Sequence, residues 1–345
     1  MCGIFGILTN NNSSSIDSDK VQKSAILMSH RGPDAYGQWG IQNKIELAHC
    51  RLSIIDLSSE GNQPFFSHCN DYVIVFNGEI YNYIEIRNEL KLLGHNFRTN
   101  SDTEVLLNSY IEWGERCVCK FNGDWAFAIY NIKENSLFCS RDRFGVKPFN
   151  YALTKGQFAF SSEIKSILHY YPHLRQPNYN VIANFCRNSL GAQTEDTWFV
   201  GIKRLLPAHN LIIKNGKFSI YRYWDYPTRT LNDISLNDAV VIYKDLFQNA
   251  VKLRMRSDVP VGTTLSSGLD SSSIVSVLRN FYKNSHKTFT AVFNPVEYDS
   301  LDKSVYKGDI LIDEASIVEK LACDLNLDAH LINIPDTDFV NELHS

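Results

Sequence analysis

The chain of 345 residues contains no apolar run long enough to cross a bilayer, so no membrane-spanning helix is expected. Its N-terminus lacks a basic stretch followed by a long apolar core, so no secretory signal is read there. Charge of one sign is also missing. The 34 Lys and Arg stand against 38 Asp and Glu, and a net −4 offers no cationic surface for nucleic acid or an anionic membrane. The eight cysteines, at 2, 50, 69, 117, 119, 139, 186 and 323, match neither a zinc pattern nor a secreted disulfide framework. Cys117 and Cys119 sit too close for the usual metal pair and read as two thiols on a strand. A reducing, cytoplasmic setting is the expectation. No internal repeat is visible.

What is present supports a large core. Hydrophobic residues make up 44% and charged residues 21%, which argues against disorder. The length suggests two domains. A helix is expected from about Asp19, with Val21, Ala25 and Met28 on one face. A strand reads from Ile45 through Leu57, and a short one from Tyr72 to Phe76 ending at Asn77-Gly78. A helix pattern follows at Ile84, Ile86, Leu90 and Leu93, and another begins at Ser101-Asp102-Thr103-Glu104. Four short strands then recur between Trp125 and Ser161, the signature of an antiparallel sheet. Leu211 to Tyr223 forms a hairpin turning at Asn215-Gly216. Past a polar linker near residues 226–234 the pattern changes to alternating helix and strand, which predicts a parallel sheet. The fold class is therefore α+β followed by α/β, divided at 1–225 and 226–345.

The opening run Met1-Cys2-Gly3-Ile4-Phe5-Gly6 organises the chemistry. Initiator Met is usually removed before a small residue, and removal here places a thiol and an α-amine on Cys2. That amine, with a reference pKa of about 7.7–8.0, can serve as base for its own thiol. The alternative is an incidental Cys on a buried first strand. A thiol nucleophile that forms an acyl-enzyme needs oxyanion donors, which Asn77 and Gly78 can supply. Arg51 suits an α-carboxylate and Asp102 an α-ammonium. Singly, each has a plain reading: a strand-edge charge, a helix cap, a turn.

Six runs occur in order: Cys2-Gly3-Ile4-Phe5-Gly6, His30-Arg31-Gly32-Pro33-Asp34, Arg51-Leu52-Ser53-Ile54-Ile55, Asn77-Gly78-Glu79-Ile80-Tyr81-Asn82, Ser101-Asp102-Thr103-Glu104 and Arg141-Asp142-Arg143-Phe144-Gly145-Val146-Lys147-Pro148. Together they resemble the glutamine amidotransferases with an N-terminal Cys nucleophile, and most closely the glutamine-hydrolysing asparagine synthetase family. The resemblance covers nearly the whole chain. It implies a four-layer αββα N-terminal-nucleophile hydrolase domain. It also implies that Cys2 attacks glutamine, Asn77 and Gly78 hold the oxyanion, Arg51 takes the α-carboxylate, and Glu79 with Asp102 takes the α-amine.

In the second half, Ser266-Ser267-Gly268-Leu269-Asp270-Ser271-Ser272-Ser273 lies between a strand and a helix. Small residues and a helix N-terminus favour phosphate, although no P-loop Lys follows, and a plain β-α turn is the alternative. The run resembles the pyrophosphate loop of ATP pyrophosphatases, the synthetase half of the same family, with Ser267 where that pattern has Gly. The resemblance assigns ATP to Leu265, Ser266, Gly268, Asp270, Ser271 and Ala291, with Mg²⁺ at Asp270. It further implies that Asp313-Glu314-Ala315 opens the next helix. The family's synthetase domain continues past Ser345, so a partial domain is expected. The implied partners are glutamine, ATP and aspartate, with a homodimer as one assembly and no nucleic acid or membrane. Two other readings stand beside this one: a different carboxylate acceptor, or a non-catalytic binder of glutamine or a partner.

Overall fold

The structure, a computed structural model, describes residues 1–9, 15–154, 156–188, 194–228, 234–281, 286–292 and 314–333. The chain folds as two units, Met1–Thr230 and Leu231–Ser345.

The first unit is built on two antiparallel sheets, each of six strands among the described residues. One sheet contains β1 (Gly3–Thr9), β2 (Ala35–Ile41), β3 (Ile45–Arg51), β8 (Asn150–Thr154), β9 (Gln157–Ser161) and β10 (Ile202–Arg204), in the order β10-β8-β9-β1-β3-β2. The other contains β4 (Phe65–Phe66), β5 (Tyr72–Ile80), β6 (Gly123–Asn131), β7 (Ser136–Arg141), β11 (His209–Lys214) and β12 (Lys217–Arg222), in the order β12-β11-β7-β6-β5-β4. All seven residues of β1 are buried, because this strand is central and covered on both faces. On its inner face Ile4 and Leu8 join Val73, Val75, Ala128 and Leu211 between the sheets. On its outer face Phe5 and Ile7 meet Val21 and Ala25 of α1 (Ser18–Ile26) and Ile167 of α4 (Ile164–Tyr170). On the far side Phe76, Phe127 and Ile129 pack on α2 (Tyr83–Leu92) and α3 (Asp102–Trp113) through Ile86, Leu90, Val105 and Leu106. Helix, sheet, sheet, helix is the four-layer αββα arrangement.

Several expectations shift in detail. The strand read through Leu57 stops at Arg51, where Asp34 Oδ2 accepts the Ser53 N–H at 2.7 Å and Asp56 turns to φ +58°. β5 does not end at Asn77-Gly78. It runs on to Ile80, because β6 pairs through the motif in register, Asn77 with Ala126 and Gly78 with Trp125. In α2, Ile86 and Leu90 are buried as expected, but Ile84 and Leu93 face solvent. Cys117 and Cys119 lie on a 3₁₀ turn (Gly114–Cys119), one buried and one exposed, and not on a strand. The hairpin turns at Asn215 (φ +52°) and Gly216 (φ +72°), as two left-handed positions require. The strand β2 and a helix α5 (Tyr179–Asn188) were not legible.

In the second unit α6 (Leu236–Arg254) leads to β13 (Thr263–Thr264), shorter than the strand read from Val259. Then come α7 (Leu269–Phe281), β14 (Lys287–Val292), α8 (Glu314–Leu325) and β15 (Asp328–Asn333). The three strands are parallel, in the order β13-β14-β15. Leu265, Val275 and Val318 form their shared core. Phe293, Asp313, Ile334 and part of the 226–234 linker lie outside the described residues. Among the described residues, no helix is long and apolar enough to cross a membrane.

Candidate active site

Each residue marked in the first half by sequence is brought to one cavity of about 170 Å³, apart from the loops that hold it. Cys2 precedes β1 and Arg51 ends β3, and the pairing of Gly3 with Cys50 sets these two residues side by side. Asn77, Gly78 and Glu79 come from β5, and Asp102 from the first turn of α3. Residues far apart in the chain thus converge where the ends of two sheets meet a helix N-terminus.

Cys2 Sγ accepts the Leu52 N–H at 3.4 Å and lies 3.6 Å from the Leu52 carbonyl. Burial pushes the thiol's pKa up, against that hydrogen bond and the charge of the N-terminal amine. The amine itself, on Met1, is pulled down, first by burial and then by the charges of Arg31 and Lys147, while the Cys2 and Glu79 charges oppose the shift. Arg31 Nε donates to the Cys2 carbonyl at 3.0 Å, and its Nη1 pairs with Glu163 at 3.1 Å. This anchors the backbone that carries the thiol.

Asn77 is 1% exposed, yet neither its Oδ1 nor its Nδ2 has a hydrogen-bond partner. Leaving a buried polar atom unpaired costs about 1–3 kcal/mol, so a side-chain amide held this way at a cavity wall is poised for an oxygen that is not part of the protein. The strand before it is fixed by His49, whose Nε2–H donates to the Phe76 carbonyl at 3.0 Å. Burial drives the His49 pKa down to about 3, so the ring is neutral. Gln63 Oε1 accepts the Phe76 N–H at 2.6 Å from the other side. Gly78 needs its missing side chain for a local reason: a Cβ there would lie 2.2 Å from the Asp124 carbonyl of β6.

Asp102 is 5% exposed and accepts the Ile80 N–H at 2.9 Å. Burial, with the nearby charge of Glu79, raises its carboxyl to about 7 despite that bond. Ser101 is the cap of α3, accepting the Thr103 N–H at 3.1 Å, so Asp102 is not needed as a cap. Burial also raises Glu79, countered by Lys147. Arg51 is not an open fork: Nη1 donates to Ser58 O at 2.7 Å and Asn62 Oδ1 at 2.8 Å, and Nη2 donates to Asp56 O. Its guanidinium ties down the loop that forms one cavity wall, leaving its remaining N–H groups for other acceptors. Sequence reasoning missed Gln63 and Lys147, both lining the cavity. The signal for Lys147 was the run from Arg141 to Pro148, rich in charge yet neither strand nor helix by pattern.

The residues marked for ATP lie in the second unit. Leu265 donates its N–H to Phe289 O at 2.9 Å and accepts Thr290 Oγ1 at 2.7 Å, so its backbone already joins β14. Ser271 Oγ accepts the Ser266 N–H at 3.1 Å and closes the loop. Gly268 precedes α7, Asp270 is exposed in its first turn, and Ala291 is exposed on β14. Ser267 has no left-handed φ, and its hydroxyl donates to Glu314 Oε1 of α8 at 3.2 Å. Among the described residues no group of three or more His, Cys, Asp or Glu could hold a metal, Asp270 included.

An αββα sandwich with a cysteine at the start of its central strand defines the class of N-terminal-nucleophile amidotransferases. The solved glutamine phosphoribosylpyrophosphate amidotransferase of Bacillus subtilis shares this fold, with a TM-score of 0.51 and 13% identity over 97% of this chain and 91% of that one. The chain belongs to the glutamine amidotransferase domain family, whose model matches residues 1–224. The asparagine synthase model matches residues 243–345. Asparagine synthetase [glutamine-hydrolyzing] 3 of Bacillus subtilis is 36% identical over 99% of this chain and 56% of its own length. A putative asparagine synthetase [glutamine-hydrolyzing] 2 of Methanocaldococcus jannaschii is 39% identical over 81% of the chain and 57% of its own. An amidase, chry2, of Gibberella zeae is 30% identical over 99% of the chain and 52% of its own. The chain spans about half the length of these relatives.

Proposed function

We propose that residues 1–225 hydrolyse glutamine through a Cys2 thioester and that residues 226–345 are the first part of an ATP-using synthetase domain, so that the whole protein makes asparagine from aspartate. The observation that carries the glutaminase reading is the unpartnered, buried Asn77 amide in the cavity that holds Cys2 Sγ. With Met1 removed, the Cys2 amine takes the thiol proton and the thiolate attacks the side-chain amide of glutamine. The carbonyl oxygen becomes an oxyanion that Asn77 Nδ2 and the Gly78 backbone receive. The Cys2 ammonium gives its proton to the departing nitrogen, ammonia leaves as the tetrahedral species collapses to the thioester, and water attacks the thioester to release glutamate and restore the thiol. Arg51 receives the α-carboxylate, and Asp102 with Glu79 the α-ammonium.

ATP suits the second unit on one observation: the first amides of a 13-residue helix follow Gly268, and such amides lack intrahelical acceptors. Ser266, Gly268 and Ser271 would flank the phosphates, Asp270 would hold Mg²⁺ that arrives with the nucleotide, and Leu265 and Ala291 would border the adenine. Bound ATP would activate the acceptor carboxylate. A second reading, transfer to another carboxylate, is favoured by the relatives named amidase. A cytoplasmic setting and a homodimer belong to the same reading.

The test is release of ammonia and glutamate from glutamine by the processed chain. Cys2→Ala should abolish it and retain glutamine binding. Hydrolysis retained in that variant would refute the nucleophile.

A further inference from the structure

The turn from Asp142 to Pro148 is held with more hydrogen bonds than a surface loop needs. Asp142 is fully buried, and its carboxylate accepts the N–H groups of Phe144 and Val146 at 3.0 Å and of Lys147 at 2.9 Å. The Arg141 guanidinium clamps the same turn, donating to Lys147 O at 2.8 Å, Gly145 O at 2.7 Å and Leu205 O at 2.6 Å. Gly145, at φ +67°, makes the reversal possible. The consequence of this bracing is that Lys147 lines the cavity with Met1, Cys2 and Glu79. Its ammonium makes no hydrogen bond or close ion pair among the described residues.

The amine at the chain start faces four charged or titratable groups: the Cys2 thiol, Arg31 from the turn after α1, Glu79 on β5 and Lys147. Arg31 acts on the amine in the same direction as Lys147, but it is already engaged by Glu163 at 3.1 Å and by the Cys2 carbonyl. Lys147 has no contact of that kind; its counter-charge in the cavity is Glu79, which opposes it at the amine but by less, and in a cavity of low dielectric such a cation acts over several ångströms. A cation there disfavours a second cation.

We propose that Lys147 is a positioning residue that acts through the N-terminal amine: held at the cavity wall by the Asp142 turn, its ammonium keeps that amine in the unprotonated form that can accept the Cys2 proton. The inference rests on the glutaminase reading above. Removal of Met1 transfers the amine to Cys2, which lines the same cavity and also faces Arg51 at the end of β3 and Asp102 in the first turn of α3, two charges of opposite sign. The Cys2 thiol answers to a different cation, Arg51, with Asp102 opposing it, so the effect of Lys147 falls on the amine alone.

The experiment uses processed protein labelled with ¹⁵N-cysteine, and compares the parent with Lys147→Gln and Lys147→Arg. The α-amine is titrated by NMR, and kcat/KM for glutamine is measured against pH. In Lys147→Gln the amine should titrate about one pH unit higher, and the acid limb of kcat/KM should move with it. Lys147→Arg should stay near the parent in both. An unchanged amine titration in Lys147→Gln overturns the proposal, as does an equal loss of kcat/KM at every pH, which would mean the residue only shapes the turn. If the parent releases no ammonia, the glutaminase reading fails, while the NMR titration still decides what Lys147 does to the amine.

Discussion

The Asp102 carboxylate accepts the Ile80 N–H at 2.9 Å, which pins the first turn of α3 to β5 three residues past Asn77. The same contact holds an acidic group in a buried place, where its carboxyl is raised to about 7. Two consequences follow with a definite sign. The folded protein binds this proton more tightly than the unfolded chain, whose Asp titrates near 3.8, so stability declines as pH rises from about 4 to about 7 and then levels. Asp102→Asn should therefore melt higher than the parent at pH 8, by an amount that shrinks toward pH 5. Glutamine affinity should run the other way, weakening about tenfold per pH unit below about 7 in the parent, and should be weak at every pH in the variant. Calorimetry across pH 5–8 and thermal melts check both.

Asn77 separates activity from stability. Its amide is buried without partners, so Asn77→Ala removes two unsatisfied atoms and should leave the melting temperature unchanged or slightly higher. Turnover should fall by about 10²–10³, with affinity less affected, as for the loss of a single oxyanion donor. Normal turnover in a destabilised variant would make Asn77 a structural residue only.

Arg51 does two things at once. It bonds Ser58, Asn62 and Asp56, and it also reaches the cavity. Arg51→Lys loses the planar fork, so the loop loosens and KM for glutamine should rise about tenfold or more. A KM equal to the parent's would remove Arg51 from the substrate's contacts.

The loop at Ser266–Ser273 makes the reverse demand. Ser267 has no left-handed backbone, so its Cβ carries no strain, and its hydroxyl is engaged by Glu314. Ser267→Gly should therefore change MgATP affinity of the chain little. Binding by residues 1–345 alone should be weak, and pyrophosphate exchange into ATP with aspartate should be undetectable. Tight binding, or a large gain in Ser267→Gly measured by calorimetry, would contradict this.

Much of the architecture was legible because it depends on local pattern. Val21, Ala25 and Met28 recur at helical spacing and all three are buried. The four strands between Trp125 and Ser161 alternate with turns, and Asn215-Gly216 accepts left-handed φ where most residues cannot. Asn77-Gly78 misled because the dipeptide is a common turn, whereas pairing with β6 keeps it extended. The short β13 fell below what periodicity can resolve.

By itself the sequence determined which groups could do chemistry here: a thiol one residue from the start, an amide, two carboxylates and a guanidinium, each with a plain alternative. Tertiary structure decided which of them act together. The β1–β3 register puts Cys2 beside Arg51, and the Asp102–Ile80 bond, with Val105 and Leu106 packed on Phe76, holds α3 against β5. Burial, which depends on all four layers, leaves Asn77 without partners, moves Asp102 toward neutrality and exposes the cavity to the charge of Lys147. These are properties of distance and dielectric between residues far apart in the chain, and no local pattern encodes either.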